Sequence, residues 1–425
     1  MLFTRGMITT TLYLLSGALS LLGNAVMAVV LPLIVLDRTG SAAAAGTLAL
    51  AVAVPTVLAA VIGGVVIDRV DRRLASIVSD LISAGSVALL PIVDRLAGLD
   101  LGWFIVLGII GAIGDAPGVS AREALLPAIA RHGRQPLRKL VSLRESIAAL
   151  TIVLGPGLAG VLISRFDSTT VLWITATTSA LAALTTACLP RLAPDPEAVA
   201  EAHAPVSVGG LIRETTTGLR FLVGQPLLRA VTILSLFVVA VLGALQGILM
   251  PVLFTERGQP ERLGTILTAL AIGSLVGALA YGLMRDRLAP RLWWSGGMVG
   301  LGCALVVMTQ QPDYIALLLA AVALGIMSGP VNAILGVATI EATPDHLRGR
   351  INSTQTGLIL VAAPVAIFGI GLMISNVSLA AAGHALSIAT LAGIVYALTA
   401  PALRRLVERA VTAPTPDVAP PVADV

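Results

Sequence analysis

Gly63 to Arg73 reads GGVVIDRVDRR, and this short polar stretch decides the fold. An almost unbroken apolar run from Ala42 to Ile67 leads into it, and a second run from Leu74 to Pro91 follows. A membrane helix needs about 20 apolar residues, so two such runs joined by so few polar residues read as consecutive spans. Within the loop the order is Gly64, three residues, Asp68-Arg69, two residues, Arg72-Arg73.

The rest of the chain has the same character. Its 425 residues are 57% hydrophobic and 12% charged, whereas a soluble domain carries about 25% charged residues. Twelve apolar runs can be placed, at 11–36, 42–67, 74–96, 101–124, 140–164, 168–190, 227–254, 262–284, 290–310, 314–340, 351–374 and 378–401. With loops assigned alternately, all 27 Lys and Arg residues fall on one side except Arg38, Arg95, Arg165, Arg257 and Arg262. Basic loops mark the cytoplasmic side, so both termini are expected there, in a multi-pass protein of the inner membrane. The formal charge of +4 is then topological, and no nucleic-acid partner is implied. Trp103, Trp173 and Trp293-Trp294 sit at helix starts, where interfacial rings belong. Cys188 and Cys303 lie inside apolar runs and read as buried thiols. The four histidines, His132, His203, His346 and His384, are scattered without a nucleophile or metal spacing. No phosphate-cradling glycine loop followed by lysine occurs. Neither an enzyme, a metal, a cofactor nor ATP is expected.

Between the sixth and seventh runs the composition turns rich in proline and alanine. The expected organisation is a first six-helix bundle over 1–190, a cytoplasmic linker over 191–226, a second bundle over 227–401 and a disordered tail over 402–425. Leu211 to Leu228 reads equally as a helix on the membrane surface or as more linker. The halves look like copies: Gly64, Asp68 and Arg69 recur as Gly282, Asp286 and Arg287. Pro127, Arg131 and Gly133-Arg134 are echoed by Pro344 and Arg348-Gly349-Arg350.

The spacing of the opening loop resembles the signature between the second and third helices of the major facilitator superfamily, with Asp71 where that signature has glycine. From 11 to 401 the chain resembles the multidrug exporters of that superfamily, near the actinobacterial tetracycline and aminoglycoside efflux permeases and the macrolide and enterobactin exporters. The phrases GVSAREALLPAIA, GPGLAGVL, GLRFLVGQPLLRA and PDHLRGRINS carry the likeness. The resemblance implies an all-α membrane protein of twelve helices in two pseudo-symmetric six-helix bundles. It implies a monomer that moves a small-molecule substrate and protons across the lipid bilayer by alternating access. It also gives the opening loop a part in the conformational cycle. Physically, Asp68 needs a positive partner, and the N-terminus of the eleventh helix, capped near Asn352-Ser353, would supply one. Arg69, Arg72 and Arg73 are expected to pair with Asp68, Asp71 or lipid headgroups. Gly155, Pro156 and Gly160 resemble the glycine-proline signature of proton-linked exporters, and small residues with a proline allow close, bent helix packing.

An ionised group in hydrocarbon costs at least about 2.5 kcal/mol and persists mainly where it is used. Asp115, within the fourth helix, is the expected proton carrier, against a structural pairing with Arg122 seven residues on. Arg144 and Glu145 lie at the depth of Arg122 and Glu123 and suggest a salt-bridge cluster at the inner gate, with Glu145 also open to a coupling role. Asp80 is open to either kind of role. Asn24, Gln246, Asn332 and Gln355 are polar groups that could line a substrate cavity or tie helices together. Proton-coupled efflux of amphiphilic drugs is the expected function. A dedicated exporter of an endogenous metabolite such as a siderophore, an importer and a non-transporting scaffold remain alternatives.

Overall fold

The structure is a computed structural model of the chain, describing residues 2–67, 70–191, 216, 219–284, 287, 290–343 and 348–404. Asp68, Arg69 and Asp286, most of the central linker and the tail beyond 404 lie outside the described residues. Twelve helices among the described residues are long and apolar enough to cross a membrane. In chain order they are α1 (Leu2–Thr39), α2 (Ala42–Ile67), α3 (Arg72–Ala97), α4 (Leu101–Gly133), α5 (Leu137–Arg165), α6 (Ser168–Ala187), α7 (Pro226–Glu256), α8 (Glu261–Met284), α9 (Pro290–Thr309), α10 (Tyr314–Ala342), α11 (Arg348–Asn376) and α12 (Leu379–Thr399).

Short turns join the helices on the face opposite the basic loops. Gly40, Gly98 and Gly258 adopt positive φ there, which only glycine does without strain. Side chains then restart the chain: Asp100 accepts from the backbone N of Trp103 and Ser378 from that of Ala381, each at 3.0 Å. Asp167 caps α6 through Thr170, whose hydroxyl and backbone N hold its carboxyl below the ordinary value. On the basic face the helices overrun the apolar runs. α4 has 33 residues, about 50 Å at 1.5 Å per residue, because hydropathy marks the hydrocarbon and not the helix end. For the same reason α11 begins at Arg348, and Asn352-Ser353 lie inside its second turn instead of capping it.

Pairings in the first half recur six helices later. α2 packs on α4 as α8 does on α10; α3 packs on α4 and α6 as α9 does on α10 and α12; α1 packs on α5 and α6 as α7 does on α11 and α12. Two main seams join the halves, α2 with α11 and α5 with α8, and α1 also touches α7. Both close on the face away from the basic loops. The Ala43 backbone N donates to Ser375 Oγ at 2.9 Å, and a β-carbon on Gly46 would lie 2.9 Å from Phe368 Cα. The apolar core follows the same geometry. One continuous cluster runs through both halves at the closed end, from Val26–Leu36 to Leu245–Phe254 and Leu317–Leu324. At the basic end it divides, one cluster around Tyr13 and Ile129 in the first half, another around Trp294 and Val331 in the second. The halves are packed together at one face and apart at the other.

Two expectations change. Both thiols are exposed: Cys188 ends α6, and Cys303 shares an outward stripe of α9 with Val299 and Val307, at the i, i+4, i+8 spacing of a lipid-facing side. Trp294 points inward and donates to the Ala397 carbonyl at 3.3 Å, while Trp293 meets Tyr281 edge to face.

Candidate functional site

The site begins with the pattern of α3. Ser76, Ser79, Asp80, Ser83 and Ser86 are all buried and recur at helical spacing, so they form one polar stripe on an otherwise apolar span. α4 meets this stripe with glycines. Gly111 faces Ser86, and Gly114 and Gly118 face Ser79, whose hydroxyl donates to the Gly114 carbonyl. The close approach brings Asp115 beside the stripe. Ser83 from α3 and Asn24 from α1 line the same cavity wall as its carboxyl.

Arg122 bonds to Asp80, not to Asp115. Asp80 is only 3% exposed and also accepts from Ser20 Oγ at 3.2 Å. A buried charge is tolerable only when paired and hydrogen-bonded, and α3 and α4 satisfy that condition across their interface. Tyr13 donates to the Arg122 carbonyl at 3.0 Å and ties α1 into the same cluster. Nearer the basic face, Arg144 pairs with Glu123 at 2.6 Å and Glu145 at 3.3 Å, and both carboxylates are exposed. The single cluster suggested by the sequence is therefore two: a buried Asp80–Arg122 pair and an exposed group around Arg144.

Two cavities flank Asp115. The larger, about 520 Å³, lies toward the closed face and is walled by Met27, Leu31, Val52, Val87, Leu90, Phe104 and Leu107, with Thr56, Ser83, Ser86 and Ser120 as polar points and Leu360 reaching in from α11. The smaller, about 50 Å³, lies toward the basic face and is lined by Tyr13, Ser20, Asp80, Arg122 and Arg144. Asn24 and Asp115 line both.

The other predicted residues are placed elsewhere. Gln355 is buried and donates to Thr232 Oγ1 at 3.3 Å, a tie between α11 and α7. Gln246 is half-buried in a π-helical turn, Leu245–Leu249, of α7. Asn332 is exposed on α10. Gly155 faces Ala25 of α1; a β-carbon on Gly160 would lie 2.8 Å from Gly264 Cα of α8, and one on Gly264 would lie 2.7 Å from the Pro156 carbonyl. The glycine-proline stretch thus forms the α5–α8 seam. In the opening loop, Asp71 caps α3 by accepting from the backbone N of Arg73 at 2.8 Å. Arg72 donates to the Ala124 carbonyl at 3.1 Å, and Arg73 to those of Thr186 and Ala187 at the end of α6. These arginines bind helix carbonyls in place of the carboxylate or lipid partners expected, and Arg73 does so at the C-terminus of α6, which favours a cation. Gly64, Arg348, Gly349 and Arg350 are described by their helical backbone, Gly282 is exposed on α8, and Arg287 is an exposed turn residue.

Sequence reasoning missed Ser20, Ser79 and Ser83. The signal was present in the i, i+3, i+7, i+10 recurrence of serine along 76–86, which hydropathy averaging conceals.

The comparisons bear on this arrangement. The Major Facilitator Superfamily profile matches residues 13–258 and 232–422. The chain is 32% identical over 391 residues to the multidrug efflux pump Tap of Mycolicibacterium fortuitum, covering 90% of this chain and 93% of that one. It is 24% identical over 359 residues to macrolide efflux protein A of Streptococcus pyogenes, covering 82% and 85% respectively. Among solved structures, the nucleoside transporter NupG superposes with a TM-score of 0.72 at 12% identity, over 94% of this chain and 99% of that one. Twelve membrane helices in two repeated six-helix bundles and a match along nearly the whole length lead to one conclusion: the chain belongs to the Major Facilitator Superfamily.

Proposed function

We propose that the chain exports amphiphilic drugs across the cytoplasmic membrane in exchange for protons, as a monomeric transporter and not an enzyme. The observation that carries this reading is the setting of Asp115, a half-buried carboxyl on the wall of a 520 Å³ aliphatic cavity. Ligand cavities measure about 300–1,000 Å³ and are mostly apolar with a few placed polar groups. A carboxyl in that position attracts a cationic head when ionised and none when protonated, so proton and substrate compete. The relatives, a multidrug pump and a macrolide efflux protein, support the substrate class. With the basic loops cytoplasmic, the halves stand apart on the inner side and both termini are inside. Rocking of the halves about the α2–α11 and α5–α8 seams would open the other face. The opening loop, Gly64, Asp68 and Arg69 included, would hold the halves together in that second state, along with its counterpart at Asp286 and Arg287 and the Arg348-Gly349-Arg350 turn.

The test uses inside-out vesicles with an imposed proton gradient. Tetracycline, erythromycin, an aminoglycoside and a lipophilic cation are added singly, and the gradient is followed. Collapse with several of them is expected. A silent response to all of them would overturn drug export.

A further inference from the structure

We propose that Asp115 is reached from two sides by two species: protons through the small polar chamber between α1, α3, α4 and α5, and the transported compound through the large aliphatic one. The inference rests on the export reading above and deepens it by separating the routes.

Volume decides which species each chamber takes. A water needs roughly 10–15 Å³ of such space, so the 50 Å³ chamber accepts a few waters and no drug. The 520 Å³ chamber accepts a drug-sized molecule. The chemistry of the walls agrees. The small chamber sets the hydroxyls of Tyr13 and Ser20 and the charges of Asp80 and Arg122 among the apolar side chains of Leu14, Leu21, Val119 and Ile147, and so holds more charge than the large one. Arg122 Nε is buried and has no hydrogen-bond partner among the described residues. Buried polar groups are satisfied by protein or by water, and water in the adjoining chamber is the available partner. Among the described residues on the wall of the large chamber, Asp115 is the one ionisable group.

Position gives the direction. Arg122 is seven residues nearer the basic end of α4 than Asp115, about 10 Å along the axis, and Asp80 is in the third turn of α3 from the same end. The small chamber therefore leads from Asp115 toward the basic face, and most of the large one's wall lies beyond Asp115, with Val119 and Ser120 continuing it about one turn the other way. The ionisable groups facing Asp115 are Asp80 from α3 and Arg122 from its own helix, with Tyr13 of α1 and Arg144 of α5 at the outer end of the chamber. Among the described residues, α2 and α11 bring none. Because Asp80 is bound to Arg122 and Ser20, it keeps the chamber polar without offering a second free carboxylate. In the exchange, the Asp115 O–H bond breaks, chamber water takes the proton toward the basic face, and the electron pair stays on the carboxylate that meets the compound.

The test fills each chamber in turn. Gly17 lines the small one, and a β-carbon there meets nothing within 4 Å, so Gly17→Leu narrows it without a clash at the helix. Ala112→Phe narrows the large one. Protonation of Asp115 in the purified full chain is followed after a pH jump by its carboxyl infrared band, assigned by its loss in Asp115→Asn. Tetracycline binding is measured on the same samples. Gly17→Leu is expected to slow protonation about tenfold and leave binding within about twofold; Gly17→Ala falls between it and the wild type. Ala112→Phe is expected to weaken binding about tenfold with protonation unchanged. Equal slowing by Ala112→Phe and Gly17→Leu, or loss of binding in Gly17→Leu, would overturn separate routes. If the wild-type chain binds no tetracycline, the export reading is what fails, and the infrared comparison still decides the proton's route.

Discussion

The first six helices hold Asp80, Asp115, Arg122 and Arg144 within their length, while residues 230–255, 263–284, 292–312, 314–340 and 351–403 of the second six contain no Asp, Glu, Lys or Arg. The helix pairings are the same in both halves. What differs is the material at the interfaces. Where α3 meets α4, serines and a buried ion pair face glycines. Where α9 meets α10, the equivalent pair, Gly297 and Gly300 face Val331 and Met327; and where α8 meets α10, Gly273 and Gly277 lie against the backbone of 325–326, and Gly325 and Gly329 against the backbone of α8. Charge in hydrocarbon is costly, so a half without it reads as a packed body that moves, and the half that keeps it as the one that performs the exchange.

That contrast can be broken at the ion pair first. Arg122→Ala leaves Asp80 buried without its counter-charge and should cost about 3–5 kcal/mol, read by thermal unfolding of the purified protein. Adding Asp80→Asn to it should recover part of the loss. A single-variant cost below about 1 kcal/mol, the range of exposed pairs, would mean the pair is not the keystone of the first half.

Backbone packing in the second half comes next. In Gly277→Val the new side chain meets the Ile326 backbone, and overpacking costs about 1–3 kcal/mol. Transport per folded molecule should stay near normal, since no group that meets proton or substrate is altered. Loss of proton coupling in this variant would erase the division between the halves.

The smallest effect is expected at Gln355. Gln355→Ala removes its bond to Thr232 and should cost about 1 kcal/mol, with tetracycline affinity unchanged. A selective fall in affinity would bring Gln355 itself into the substrate site and sharpen the comparison against us.

The spans were legible because hydrocarbon imposes length and composition directly; the run 42–67 coincides with α2. Asp115 was legible for the same reason, as a charge where charge is costly. Its neighbours were not. Whether Arg122 turns to Asp115 on its own helix or to Asp80 on α3 depends on the register of two helices, which glycine approaches at 111, 114 and 118 fix. The partners of Arg72 and Arg73 escaped because backbone carbonyls leave no mark in a sequence. Gln355 carries no sign of which helix it will tie. The exposure of Cys303 shows the converse limit, since an apolar run has a lipid side and a core side that hydropathy does not separate.

The central claim is tested most directly by Asp115→Asn in reconstituted vesicles, measuring accumulation of tetracycline against its gradient and its exchange in the absence of one. Accumulation should vanish while exchange persists, because an amide retains hydrogen bonding and shape but binds and releases no proton. Normal accumulation in the variant would contradict the account and return Asp115 to a purely structural role.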